Sequence, residues 1–153
     1  MGGTGDAVGN VPSSPSEVFG LLTDVDRLPE WNSIITRVVE RPGTLATGAE
    51  WVVQLKAMGN SWASRSKVEE YDPRGCVFAY RSSTDDGNPS YALWRWTVAP
   101  AADGGSRVTV SWELHPQTFW RRALLVRFRS RQLKHEVPAS IESLARAIQE
   151  PSA

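Results

Sequence analysis

Residues 118–149 read TFWRRALLVRFRSRQLKHEVPASIESLARAIQ, and the reading of this stretch decides the fold. Phe119, Ala123, Val126, Ser130, Leu133, Val137, Ile141, Leu144 and Ile148 follow one another at steps of three and four, which puts them on one face of a helix from Thr118 to Gln149. At about 1.5 Å per residue that helix runs roughly 45 Å, so its apolar stripe needs an equally long apolar surface opposite. Only the alternating segments that precede it supply one. The expectation is an α+β chain in which a curved sheet grips one long helix, with function residing in the space between them.

Upstream, the period between Ile34 and Pro116 is two. Pro42-Gly43, Gly59-Asn60, Asp72-Pro73-Arg74-Gly75, Asp85 to Pro89 and Asp103-Gly104-Gly105 cut this stretch into six segments, with strands expected near 34–41, 50–58, 61–71, 76–83, 90–99 and 107–115. Short links favour an antiparallel meander. The alternation puts Trp51, Val53, Leu55, Trp62, Ser64, Ser66, Val68, Phe78, Tyr80, Trp94, Trp96, Val98, Val108, Val110, Trp112 and Leu114 on the dry face. Residues such as Arg65, Lys67, Glu69, Arg107 and Glu113 fall on the wet one. Before the meander, residues 1–5 are Gly-rich and expected to be loose, and Asp6 to Val11 reads as a short strand. Ser14-Pro15-Ser16-Glu17 is a helix start: a Ser cap, Pro at the first helical position and a Glu that closes a capping box. Val18, Phe19, Leu21 and Leu22 form its buried side, and a second small helix is expected within Asp24 to Asn32.

Composition narrows the function classes. The 153 residues form one expected domain with seventeen basic and seventeen acidic side chains, so no global field points to nucleic acid. One Cys, Cys76, and two His offer neither a disulfide framework nor a zinc site, and no cofactor is expected. No apolar run approaches ~18 residues and the start carries no signal-like segment, so the expected setting is cytoplasmic, without stable membrane insertion. Seven Trp is the unusual figure. Each buries ~150–250 Å² and offers a flat ring to planar ligands.

The order strand, two small helices, six strands, long helix carries a resemblance. With the stretches Val11-Pro12 through Ser16-Glu17-Val18-Phe19, Pro29-Glu30-Trp31-Asn32, Glu70-Tyr71-Asp72-Pro73 and Gly104-Gly105-Ser106-Arg107-Val108-Thr109, the chain resembles the bacterial polyketide cyclase/dehydrase and lipid-transport family of the START or Bet v 1-like (SRPBCC) superfamily, from about Asp6 to Gln149. The resemblance implies a helix-grip fold: a seven-stranded antiparallel sheet curved around the C-terminal helix, two small helices after the first strand, and a hydrophobic cavity. The Gly-rich first strand departs from the family's usual pattern. Members include ligand carriers, sensors and cyclases, so fold alone does not assign chemistry.

Candidate ligand-binding residues are the inward aromatics Trp51, Trp62, Phe78, Tyr80, Trp94, Trp96 and Trp112, the small polar residues Ser64, Ser66 and Ser130, and the helix positions Val137 and Ile141. The alternative is a solid core made of the same rings. Hydroxyls on a buried face need partners, which favours a pocket. A cyclisation would need an acid or base inside, and Tyr80 is the one inward residue of that kind. His115 and His135 read as edge or solvated histidines, Arg95 points outward, and Asp85, Asp86 and Asn88 read as turn residues. Trp120, Leu124 and Phe128 form a second apolar line among arginines, which serves either as a lid over the cavity mouth or as a partner- or membrane-binding face. Pro138 predicts a kink. The leading expectation is binding of a hydrophobic small molecule that is polyketide-, aromatic- or lipid-like. A polyketide aromatase/cyclase in the same cavity and a partner-binding module are the alternatives, and the sequence leaves catalysis and a homodimer open.

Overall fold

The computed structural model describes residues 3–57, 59–84, 90–115 and 137–148. Strand β1 (Gly3–Val11) leads into helix α1 (Pro15–Leu22), a 3-10 turn (Val25–Arg27) and the single-turn helix α2 (Leu28–Trp31). Six strands follow: β2 (Ile35–Glu40), β3 (Glu50–Ala57), β4 (Asn60–Asp72), β5 (Val77–Thr84), β6 (Tyr91–Pro100) and β7 (Ser106–His115). Residues 137–148 form a helix, here α3. All seven strands lie in one antiparallel sheet of order β1-β7-β6-β5-β4-β3-β2. The meander thus runs from β2 to β7, and β1 closes on the far side of β7, as a helix-grip fold requires.

Local chemistry explains the elements. At the start of α1, Glu17 N–H donates to Ser14 Oγ at 3.4 Å, the expected N-cap with Pro15 in the first turn, and Glu17 Oε1 accepts at 3.2 Å from the Ser14 hydroxyl in place of the backbone N–H of a full capping box. Val18, Phe19, Leu21 and Leu22 are buried beneath it. Ser106, wholly buried, donates to Ser13 O at 2.6 Å and pins the start of β7 to the link between β1 and α1. The bounds of β2 to β7 fall within a residue of those expected. Trp51, Val53, Leu55, Val68, Phe78, Trp96, Val98, Val108, Val110, Trp112 and Leu114 are buried, and Val137, Ile141 and Leu144 of α3 are buried with them.

Three findings depart from expectation. First, β1 begins at Gly3, with Gly3 paired to Leu114 and Gly5 to Trp112, so Gly3–Gly5 are strand and not loose. A Cβ at Gly5 would collide with the Trp112 indole, 2.5 Å from Cε2, and one at Gly9 would lie 2.5 Å from Ile141 Cγ2. The glycines are there so that a large ring and the helix can close on the sheet. Secondly, the register shifts between Val68/Tyr80 and Glu70/Ala79, a bulge at Glu69. It reverses the parity of β4, so that Tyr71 faces inward onto Phe19 and Phe78 while Glu70 turns out to Arg95. Thirdly, the convex face is not uniformly wet. Val52 lies between Glu40 and Arg65 in register, and Ala79 between Glu70 and Arg95. The ion pairs Arg65–Glu40 (2.9 Å) and Arg95–Glu70 (2.8 Å) close across these two residues, which are buried.

Among the described residues no helix is long and apolar enough to cross a membrane. Ser130, His135, Trp120, Leu124, Phe128 and the arginines around them lie outside the described residues, as do Asp85, Asp86 and Asn88, and so does the stretch before Val137 on which a kink at Pro138 would be judged.

Candidate functional site

Between α2, the strands β2 to β6 and the start of α3 lies a partly open cavity of about 100 Å³. Roughly 10–15 Å³ of such space holds one water, so the cavity is several waters in size. Its position follows from side-chain size along the strands. Inward positions of β4 carry Ser64 and Ser66, and β5 carries Ser82 opposite Ser66. These short side chains leave the floor low between the rings of Trp51 on β3 and Trp94 and Trp96 on β6.

Of the twelve expected ligand-binding residues, Trp51, Ser64, Ser66, Tyr80, Trp94, Trp96 and Val137 line this cavity. Phe78 does not: it is buried behind the wall, against Trp51 at 5.8 Å and Tyr80 at 5.2 Å between ring centroids. Trp112 lies one ring further, 6.0 Å from Trp94, and packs on Gly5. Ile141 packs on Gly9, and Trp62 is a half-buried side chain at the margin of the core. Ser130 is outside the described residues.

The other lining residues include Leu28, Trp31 and Asn32 from the α2 region, Ile34 and Ile35 leading into β2, Ser82 on β5 and Ser140 on α3. Signals for several of them were present. Ser82 continues the alternation of Phe78 and Tyr80, and Ser140 stands one helical turn from Val137. Trp31 and Asn32 sit in the Pro-Glu-Trp-Asn stretch that marked the family, but periodicity says nothing about a four-residue helix. Trp31 is buried, packs edge-on to Trp96 at 5.8 Å, and its Nε1 has no hydrogen-bond partner among the described residues.

The polar groups of the wall are ordered by two indoles. Trp94 Nε1–H donates to Ser82 Oγ at 3.1 Å, and Trp96 Nε1–H donates to Tyr80 Oη at 3.3 Å. Burial pushes the Tyr80 hydroxyl up to about 12, opposed in part by the Trp96 hydrogen bond, so the phenol is neutral throughout the physiological range. No Asp, Glu, Lys, Arg or His lines the cavity among the described residues. His115 instead stacks on Tyr91 at 4.7 Å on the outer face, beside Glu113 at 3.7 Å, and Arg95 is outward and paired to Glu70. The arrangement can hold and orient a neutral molecule. Among the described lining residues no second titrating group stands beside Tyr80 to take a proton.

Solved structures share this architecture. Ara h 8.0201 aligns with a TM-score of 0.77 at 18% identity over 99% of this chain and 100% of that one. TTHA0849 from Thermus thermophilus aligns with a TM-score of 0.75 at 18% identity, over 98% and 99% respectively. The Zhui aromatase/cyclase from Streptomyces sp. R1128 aligns with a TM-score of 0.73 at 13% identity, over 98% and 95%. At these identities the likeness establishes the fold alone. No curated protein matches the chain in sequence. Residues 7–149, however, match the family described as polyketide cyclase / dehydrase and lipid transport, and with the sheet, the gripping helix and the cavity in place, the chain belongs to that family.

Proposed function

We infer that the protein binds a compact, ring-bearing hydrophobic small molecule in the cavity between the sheet and α3. The observation that carries this reading is the serine floor of β4 and β5 under a wall of indoles, a space of about 100 Å³ whose described lining residues carry no charge. Apolar walls with a few placed polar groups suit such ligands, and the volume favours one or two rings over a long acyl chain. Binding is preferred to cyclase chemistry because Tyr80 is the one titratable side chain lining the cavity among the described residues, and its raised pKa keeps it protonated, able to donate a hydrogen bond and with almost no phenolate to act as a base.

Titration with toluene, followed by Trp fluorescence, tests this. Saturable one-to-one binding is expected, and Ser64→Leu, which fills the floor, should abolish it. Uptake that does not saturate, or that is the same in a folded Ser64→Leu variant, contradicts the reading.

A further inference from the structure

Which ligands this cavity prefers follows from which of its polar atoms are already engaged. In the β5–β6 register Ser82 faces Ala92 and Tyr80 faces Trp94. Each hydroxyl receives its N–H from the indole two residues further along β6: Ser82 from Trp94 at 3.1 Å and Tyr80 from Trp96 at 3.3 Å. The same diagonal contact therefore occurs twice, side by side. An indole N–H can only donate, so each hydroxyl oxygen accepts one hydrogen bond and, among the described residues, its own hydrogen is given to no other group. Accepting one hydrogen bond also polarises the O–H and strengthens it as a donor. Both residues line the cavity. The remaining described lining residues supply no charge to neutralise an ion, and an unpaired charge is far costlier to bury than a neutral polar group.

We propose that Ser82 and Tyr80 are specificity-determining donors, held in that role by Trp94 and Trp96, which select a neutral ligand bearing a hydrogen-bond-accepting oxygen, such as an aryl ketone. Hydrocarbons and carboxylates of the same shape are discriminated against. The inference rests on the reading of the cavity as a ligand site. Tyr80 keeps its proton up to a pH of about 12, so the donor role survives across the physiological range.

Acetophenone, α-methylstyrene and benzoate separate the possibilities, because all three carry the same ring and a planar head that differs only in its acceptor and its charge. With the wild-type protein, acetophenone should bind about tenfold more tightly than α-methylstyrene, the difference expected when a ligand meets or misses a buried donor. Benzoate should bind most weakly. In the Tyr80→Phe/Ser82→Ala double variant the two neutral probes should bind alike, whereas Ser82→Thr, which keeps a hydroxyl, should retain the preference. Equal wild-type affinity for the two neutral probes, tighter binding of benzoate, or an unchanged preference in a folded double variant would overturn the donor assignment while leaving the cavity a ligand site. Failure of all three probes to bind would overturn the ligand-site reading and this inference with it.

Discussion

The concave face uses small residues in two places, with opposite results. At the β1 end Gly5 and Gly9 are met from across the sheet by the Trp112 ring and by Ile141 of α3, and the space is filled. Towards β4 and β5, Ser64, Ser66 and Ser82 border a cavity of about 100 Å³ that no described residue fills. A small side chain therefore marks either a close approach or a hollow, and only the partner opposite decides which. At the edge strand the partner is an aromatic ring lying over glycine, which covers backbone and restores packing that the missing side chain would have provided. Over the serines the partners are indoles that stand as walls and spend their N–H groups on hydroxyls.

On this contrast, perturbing the filled end should damage stability and perturbing the hollow should damage binding. The largest effect is expected at Trp112, which is 2% exposed: Trp112→Ala should cost about 3–5 kcal/mol of unfolding free energy in urea. Next, Gly9→Val would drive a side chain into Ile141 and should cost roughly 1–3 kcal/mol by the same measurement, with α3 displaced. A loss within experimental error for either variant would break the claim that this end is close-packed.

A smaller effect concerns pH. Tyr80 titrates near its ordinary value when unfolded and at about 12 when folded, so the folded state holds its proton more tightly. The stabilisation from this group is complete below a pH of about 10 and is lost as pH rises from there towards 12. Tyr80→Phe should flatten that alkaline decline in denaturant midpoint. An equally steep decline in the variant would assign it to other groups. Smallest of all is Glu70→Gln on the convex face. Both members of the Arg95–Glu70 pair are close to half exposed, so the loss should stay below ~1 kcal/mol and shrink further with added salt.

How much of this could be read in the chain itself differs between fold and site. The α3 positions Val137, Ile141 and Leu144 were legible because a helical stripe is local information, repeated every turn. Strand bounds were legible from turn residues, and the α1 cap from four consecutive residues. The start of β1 was not, because the order of Gly3–Gly5 comes from β7, more than a hundred positions away in the chain. Nor was the bulge at Glu69, which adds one residue to a ladder without any compositional mark, and so Tyr71 was not placed inside. Within the site, alternation found the inward face but could not tell wall from filling. Phe78 and Trp112 share the parity of Tyr80 and Trp94, yet they stand behind and beside the cavity. Which inward residues border empty space depends on the summed volume of neighbours from several strands, and no single strand's pattern carries that sum.

The central claim is that the hollow between the indoles is where a ligand goes. Each tryptophan has its own indole N–H resonance, so a titration of 15N-labelled protein with acetophenone reads the claim directly. Saturable shifts are expected at Trp31, Trp51, Trp94 and Trp96, which line the cavity, and little change at Trp62, which does not. Shifts confined to Trp62, or no saturable shift at any cavity indole, would contradict it.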